Sequence, residues 1–303
     1  MSEKTSTTTD TTILDQDQLT RFIDPYSDFG FKHLFGKALN RDLLIKFLNG
    51  VFKGRKVIVD IQYKNTEYKG PGKKYRKTIF DLYCTGDKGE NFIIEMQKAK
   101  VQNFIDRSIF YTTNLIQEQG VDVDADWDYL LPEIYFLAIM DFKFDDSHPD
   151  HFIHDVRLIE IHTNKEFFPK LSYIFIEMPK FKKTETELEN ELEEWLYILN
   201  NLKQFEEIPV SLREKEEYKK VFEIAEIGNL TPEEMNEYQQ SLKIQRDNNA
   251  TLRYAEKEAR AKGLAEGEHK KAVEMALKLL TKGTALDEIA DLTGLTIKEI
   301  EEL

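Results

Sequence analysis

Two acidic side chains, Asp81 and Glu95, lie in neighbouring runs of β-branched and aromatic residues that are typical of strands. A short turn containing glycine separates the two runs. If residues 87–89 form a three-residue loop with Gly89 in the left-handed conformation, Asp81 lies directly opposite Glu95. The Cβ atoms of opposed residues are only about 4.5–5.5 Å apart, and like charges at that distance destabilise a sheet. We therefore expect a further group to compensate the two carboxylates.

A hard divalent cation would compensate this pair. Mg²⁺ is commonly held by one or two carboxylates, while water and substrate phosphate complete its shell. Such an ion lowers the pKa of a bound water and stabilises the charge that develops when a phosphodiester is attacked. Gln97 lies two residues after Glu95 and thus on the same strand face, where it could orient that water or donate to a phosphate oxygen. In the alternative interpretation, Asp81 and Glu95 lie at a sheet end, exposed or paired with Lys and Arg.

A basic segment leads into the predicted strand of Asp81. Residues 64–77 contain six basic side chains, one acidic side chain and two interleaved tyrosines. The basic residues are Lys64, Lys69, Lys73, Lys74, Arg76 and Lys77. Because nonspecific DNA affinity comes largely from Lys and Arg on phosphates, this segment is the best candidate for contacting DNA beside the carboxylates. The alternative is an ordinary solvated hairpin loop.

The elements that must position these residues alternate between helical and strand-like patterns. Helical spacing of apolar residues predicts helices over 41–52 and 103–119. Strands are predicted over 57–63, 78–85, 91–97, 134–140, 155–162 and 173–178. The order of helix, three strands, helix and strand indicates an α/β core in which a meander is followed by a crossover helix.

After about Phe181 the sequence becomes rich in Glu and Lys and helical throughout, so we predict a domain boundary near this residue. Helices are predicted over 184–202, from Thr231 to about 262, and over 270–281, 284–292 and 296–303. The last two have a helix-turn-helix-like spacing. The last helix is acidic and therefore a poor DNA-groove reader, which favours a protein-contact or oligomerisation role.

Composition and charge limit the class of protein. The chain has 303 residues, 41% of them hydrophobic and 12% aromatic, which is typical of a globular protein. No apolar run approaches the roughly 18 residues of a membrane span, and one cysteine excludes an intramolecular disulfide. The Ser/Thr-rich start lacks the features of a secretory signal, so we expect a disordered lead over 1–20 and a cytoplasmic protein. A net charge of −14 argues against DNA binding, but −10 of it falls from Phe181 onward.

Four motifs resemble the PD-(D/E)XK nucleases, specifically the recombination-promoting nuclease (Rpn) and putative transposase branch. They occur in order over roughly 24–181, with a looser similarity over most of the tail. The motifs are Asp28-Phe29-Gly30-Phe31-Lys32-His33-Leu34-Phe35-Gly36, the strand pair with Ile79-Phe80-Asp81-Leu82 and Ile93-Ile94-Glu95-Met96-Gln97, Arg107 with Tyr111, and Ile176-Glu177-Met178-Pro179-Lys180-Phe181.

The resemblance implies an α/β fold, with a central mixed sheet flanked by helices over 21–181 and an all-helical extension over 182–303. It implies Mg²⁺ or another divalent cation on Asp81 and Glu95, with Gln97 in the place of the superfamily's usual catalytic lysine. The implied function is a metal-dependent DNA endonuclease associated with recombination or mobile elements.

Gln97 cannot supply the positive charge of that lysine, so slow or specially activated cleavage is expected. A second hypothesis follows from this departure. In it, the chain is a weakly active or inactive nuclease-fold interaction module, regulated by its acidic helical tail. That tail would contact another copy of the chain or a protein partner.

Three further residues have two interpretations each. Asp28 either approaches the site as a third acid or caps the helix that begins near Phe29. Arg107 and Tyr111 lie four apart on one helix face and could reach a scissile phosphate. Equally, Arg107 could only brace Glu95 or a neighbouring acid.

Overall fold

The computed structural model describes residues 20–68, 78–119, 128–145 and 148–303. The α-helices in these ranges are α1 Asp28–Phe35, α2 Arg41–Val51, α3 Phe104–Glu118, α4 Glu191–Asn201, α5 Glu216–Ala225, α6 Pro232–Thr281, α7 Leu286–Thr293 and α8 Ile297–Glu301. The strands are β1 Ile61–Tyr63, β2 Glu67–Tyr68, β3 Thr78–Ile79, β4 Leu82–Gly86, β5 Asn91–Gln97, β6 Ile134–Met140, β7 Ile153–Glu160 and β8 Lys165–Glu177. None of the helices in the described ranges combines the length and apolarity that crossing a membrane requires.

A six-stranded mixed sheet forms the centre of the fold, in the order β1-β4-β5-β6-β8-β7. β1, β4 and β5 are antiparallel neighbours, β5, β6 and β8 run parallel, and β7 returns antiparallel to β8. A parallel pair needs a crossover connection, and α3 lies in the connection from β5 to β6. This arrangement confirms the predicted α/β core, with its meander followed by a crossover helix.

Helix α3 packs on the sheet through an apolar cluster that includes Phe104, Leu115, Ile93 and Phe136. Alternation along β5 places Glu95 and Gln97 on the face of Ile93, and so on the side of α3. The polar end of β5 therefore continues a buried apolar surface, and the first turns of α3 lie beside it.

Helices α1, α2 and α4 form a second packed group. Trp195 of α4 is 1% exposed, and its ring lies 5.9 Å from that of Phe35 and 6.0 Å from that of Phe47. Helix α4 begins only at Glu191, because the Asn190 side chain accepts a hydrogen bond from the Glu193 backbone N–H and caps it. The single helix predicted over 184–202 is therefore wrong at its start.

The chain divides into two compact units, one ending at Ser241 and one spanning Leu242–Leu303. The boundary predicted near Phe181 differs from this division, because α4 and α5 pack within the first unit. In the second unit, the end of α6 packs with α7 and α8 around Ala276, Ile289 and Ile300. The predicted helix 270–281 is the last part of α6. The lead predicted over 1–20 falls outside the described residues, apart from its last residue.

Candidate active site

A tight turn joins β4 to β5. The backbone N–H of Gly86 donates to the carbonyl of Glu90 at 2.8 Å, so these two residues close the hairpin. Gly89 has φ +81°, the left-handed conformation that glycine adopts without steric cost. Residues 87–89 are therefore the predicted three-residue loop, and this loop fixes the pairing of the two strands.

The hairpin aligns Asp81 with Glu95. Leu82 pairs with Ile94, so the residue before β4 falls opposite the residue after Ile94. The Asp81 backbone N–H donates to Glu95 Oε1 at 3.2 Å, and the Met96 N–H donates to Asp81 Oδ2 at 2.8 Å. The predicted strand 78–85 is interrupted here, because Phe80 and Asp81 lie between β3 and β4. Each carboxylate thus binds the backbone of the opposite strand.

The two carboxylates are crowded and poorly solvated. Glu95 is 4% exposed and Asp81 is partly buried. Burial raises the pKa of Glu95 well above its usual range, and the Asp81 charge raises it further. Burial also raises the pKa of Asp81, while the Met96 N–H opposes this rise. The site therefore penalises two negative charges in the absence of a compensating cation.

The donor chemistry of this pair fits a hard divalent cation. Two carboxylates are the oxygen ligands that Mg²⁺ takes from proteins, and water and phosphate usually complete its shell. In the described ranges, no group of three or more His, Cys, Asp and Glu side chains is arranged to hold a metal ion. A cation on Asp81 and Glu95 would therefore depend on solvent and substrate for its other ligands.

Arg107, on the first turns of α3, lies next to the carboxylates. Its Nη2 donates to Gln97 Oε1 and lies 4.0 Å from Glu95 Oε2. Gln97 Nε2 donates to the Ala99 carbonyl at 3.1 Å. The guanidinium also lies 5.6 Å from the centre of the Tyr111 ring. Its positive charge lowers the pKa of both acids, against the effect of burial.

Asp28 lies in the first turn of α1 and does not cap it. The cap is Ser27, whose Oγ accepts from the Gly30 N–H at 3.0 Å, so the capping interpretation of Asp28 is wrong. Asp28 Oδ1 instead pairs with Lys32 Nζ at 2.6 Å. The Asp28 charge raises the pKa of Asp81, and a role for Asp28 as a third acid stays a prediction.

Sequence reasoning did not assign Lys32 to the site. Its charge lowers the pKa of both Asp81 and Glu95. The available signal was its position four residues after Asp28, which places the two side chains on the same helix face. Lys98, which directly follows Gln97, lies on the opposite strand face, where its Nζ is 3.1 Å from Asp24 Oδ2.

The predicted DNA-contact segment is described only at its start. Lys64 is exposed, and its backbone N–H donates to the Tyr83 carbonyl on β4 at 2.8 Å. The segment therefore leaves the sheet beside the strand that follows Asp81. The other basic residues of the segment lie outside the described residues, and their role stays a prediction. They are Lys69, Lys73, Lys74, Arg76 and Lys77.

Comparison with known proteins identifies a family for most of the chain. The family model described as PD-(D/E)XK nuclease family transposase matches residues 25–255, which include both carboxylates and Arg107. Neither a curated protein nor a solved structure matches the chain.

Proposed function

Because the chain belongs to the PD-(D/E)XK nuclease family transposases, we propose that it is a DNA endonuclease that hydrolyses phosphodiester bonds with a divalent cation. One observation carries the proposal. Asp81 and Glu95 are held side by side across a hairpin, each bonded to the backbone of the opposite strand. Burial makes their joint ionisation costly, and a bound cation would remove that cost.

In this proposal, Asp81 and Glu95 hold Mg²⁺ or a similar ion. The bound ion supplies an activated water and stabilises negative charge on the phosphate. Arg107 offers a second positive charge to the DNA backbone, and Tyr111 flanks it. Lys64 and the basic residues at 69–77 would supply further contacts to DNA phosphates. The family description associates such activity with transposable elements, and a role in recombination is part of the proposal.

Nicking of supercoiled plasmid DNA by the full-length protein tests this function. The assay compares Mg²⁺ with EDTA, and wild type with Asp81→Asn and Glu95→Gln, which keep side-chain shape and remove charge. We expect nicking to require the ion and to fall at least about 100-fold in both variants, because each weakens the hold on the ion. The matched control is Asp87→Asn, which changes an exposed acid in the same hairpin and should nick like wild type.

Two results would contradict the proposal. Equal nicking by all four proteins would indicate a contaminant or a different site. No nicking by any folded protein would favour a second candidate function, an inactive or weakly active interaction module. One observation favours this second candidate: the Gln97 amide bonds to Arg107 and Ala99 and is neutral where the superfamily has a lysine.

A further inference from the structure

The side-chain amide of Gln97 is held at both ends. Its Oε1 accepts from Arg107, and its Nε2 donates to the Ala99 carbonyl at 3.1 Å. The orientation of the amide is unambiguous, because a guanidinium can only donate and a carbonyl can only accept. Gln97 therefore has a structural task in this arrangement: it fixes the position of the Arg107 guanidinium.

Several other contacts restrain Arg107 next to the carboxylates. The guanidinium carbon lies 4.9 Å from the centre of the Phe104 ring and 5.6 Å from that of Tyr111. Its Nη2 is 4.0 Å from Glu95 Oε2, yet its side chain is 32% exposed. The bond to Gln97 uses one of five guanidinium N–H groups. A restrained, partly exposed guanidinium is suited to bidentate binding of a phosphate.

Two described lysines, one directly after Gln97 and one on α1, are paired with other acids. Lys98 is paired with Asp24 on the opposite face of β5. Lys32, on α1, is paired with Asp28 at 2.6 Å. Among the described residues, Arg107 is the cation that forms an ion pair with Glu95. Lys32 lowers the pKa of both carboxylates through its charge while it is paired with Asp28.

We propose that Arg107 binds the scissile phosphate and that Gln97 is its positioning residue, so that the positive charge of this active site is carried by helix α3 instead of strand β5. The inference rests on the proposed nuclease function. The guanidinium would donate to non-bridging oxygens of the phosphate and stabilise the negative charge that develops on them during hydrolysis. Gln97 would contribute through the angle at which it holds Arg107, without contacting the substrate.

The test moves the positive charge from α3 to β5. Arg107→Gln removes the charge from α3, and the double variant Gln97→Lys/Arg107→Gln places a positive charge on β5 instead. For plasmid nicking with Mg²⁺ we expect Arg107→Gln to lower kcat about 100-fold, Gln97→Ala to lower it about tenfold, and the double variant to recover at least tenfold over Arg107→Gln. A merely structural role for either residue predicts that the double variant is no better than the single one. The matched control is Arg253→Gln, which removes a charge from an exposed position of α6 and should keep wild-type kcat.

A binding measurement separates this inference from the nuclease proposal. Fluorescence anisotropy with a labelled duplex in EDTA gives the dependence of affinity on salt without cleavage. Loss of one phosphate contact should reduce the slope of log K against log salt by about one in Arg107→Gln, but not in Asp87→Asn. An unchanged slope together with wild-type kcat in Arg107→Gln would overturn the inference. If wild type fails to nick DNA while the slope changes as expected, the nuclease proposal fails and the phosphate contact stands.

Discussion

Glu95 is a buried carboxylate of the candidate site, and its ionisation costs stability. It is 4% exposed, faces Asp81, and is partly compensated by Arg107 at 4.0 Å. Its ordinary pKa of 4.5 is raised well above this value in the folded chain. Between the unfolded and folded pKa values, the unfolded state binds fewer protons than the folded state. The free energy of unfolding therefore decreases as pH rises through this window.

Glu95→Gln should stabilise the protein when no divalent cation is present. We expect a gain of about 1 kcal/mol in the free energy of unfolding at pH 8.5 in EDTA, because the substitution removes a buried charge. The gain should shrink towards pH 5.5, where more of the wild-type Glu95 is protonated. Urea unfolding at both pH values measures the difference. Added Mg²⁺ should then raise the stability of wild type more than that of the variant.

The control for this prediction is Glu223→Gln, which neutralises an exposed acid on α5 of the same unit. It should change the free energy of unfolding by less than about 0.5 kcal/mol at either pH. A Glu95→Gln protein that is less stable than wild type at pH 8.5 in EDTA would show that the Glu95 carboxylate is a net stabilising group. The proposed cost of joint ionisation would then be wrong.

At the scale of elements, α1 is held unusually close to the chain that leads into it. A Cβ atom on Gly30 would lie 2.1 Å from the Asp24 carbonyl oxygen and 2.9 Å from Ser27 Oγ. Only glycine permits this approach, and the approach sets where α1 presents Asp28 and Lys32. The packing of α1 is therefore linked to the electrostatics of the site.

Gly30→Ala should disturb both stability and activity. Since the clash is with backbone that cannot move without displacing α1, we expect a loss of about 2–3 kcal/mol in the free energy of unfolding. Nicking should fall more than the unfolded fraction explains, because Asp28 and Lys32 shift. Urea unfolding and nicking rates measure these two effects. Gly228→Ala, where a Cβ would meet nothing within 4 Å, is the matched control, and equal behaviour of the two variants would refute the argument.

The sequence predicts well those elements whose structure depends on residues that are close together in the chain. Strand β5 and strand β6 follow from their apolar runs, and the pairing of Asp81 with Glu95 follows from one left-handed glycine in a short loop. The link between Gln97 and Arg107 has no such signal, because it depends on the angle at which α3 crosses the end of β5. The sequence predicted neither this bond nor the pairing of Lys98 with Asp24.

The sequence pattern does not predict helix α5 or the start of α4, for a related reason. The composition after Phe181 is uniformly rich in Glu and Lys, so it indicates helix without indicating where helices end or what they contact. Only tertiary packing shows that Trp195 belongs with Phe35 and Phe47. A boundary based on composition therefore fell before α4, whereas the first compact unit ends after it, at Ser241.

At the scale of the whole molecule, this packing determines which unit carries the excess of acidic side chains. Residues 182–241 contain 7 basic and 16 acidic side chains, whereas residues 242–303 contain 11 basic and 12 acidic side chains. Most of the net negative charge after Phe181 thus lies in the unit that carries Asp81 and Glu95. Many of these acids are paired within it, as Glu193 is with Lys183 at 2.7 Å.

Removal of residues 242–303 tests whether the helical tail masks a DNA-binding surface. Because this piece is almost neutral, we expect its deletion to change DNA affinity less than about threefold at both 50 and 200 mM salt, where a charged mask would act differently. The remaining chain keeps the complete first unit, including buried Tyr238, and should unfold cooperatively. Deletion from residue 182 onward removes Trp195, which packs against both Phe35 and Phe47, and should prevent folding. Anisotropy with labelled DNA and calorimetry measure these outcomes. A rise in affinity of more than tenfold on deletion of 242–303, largest at low salt, would instead establish the tail as an electrostatic mask.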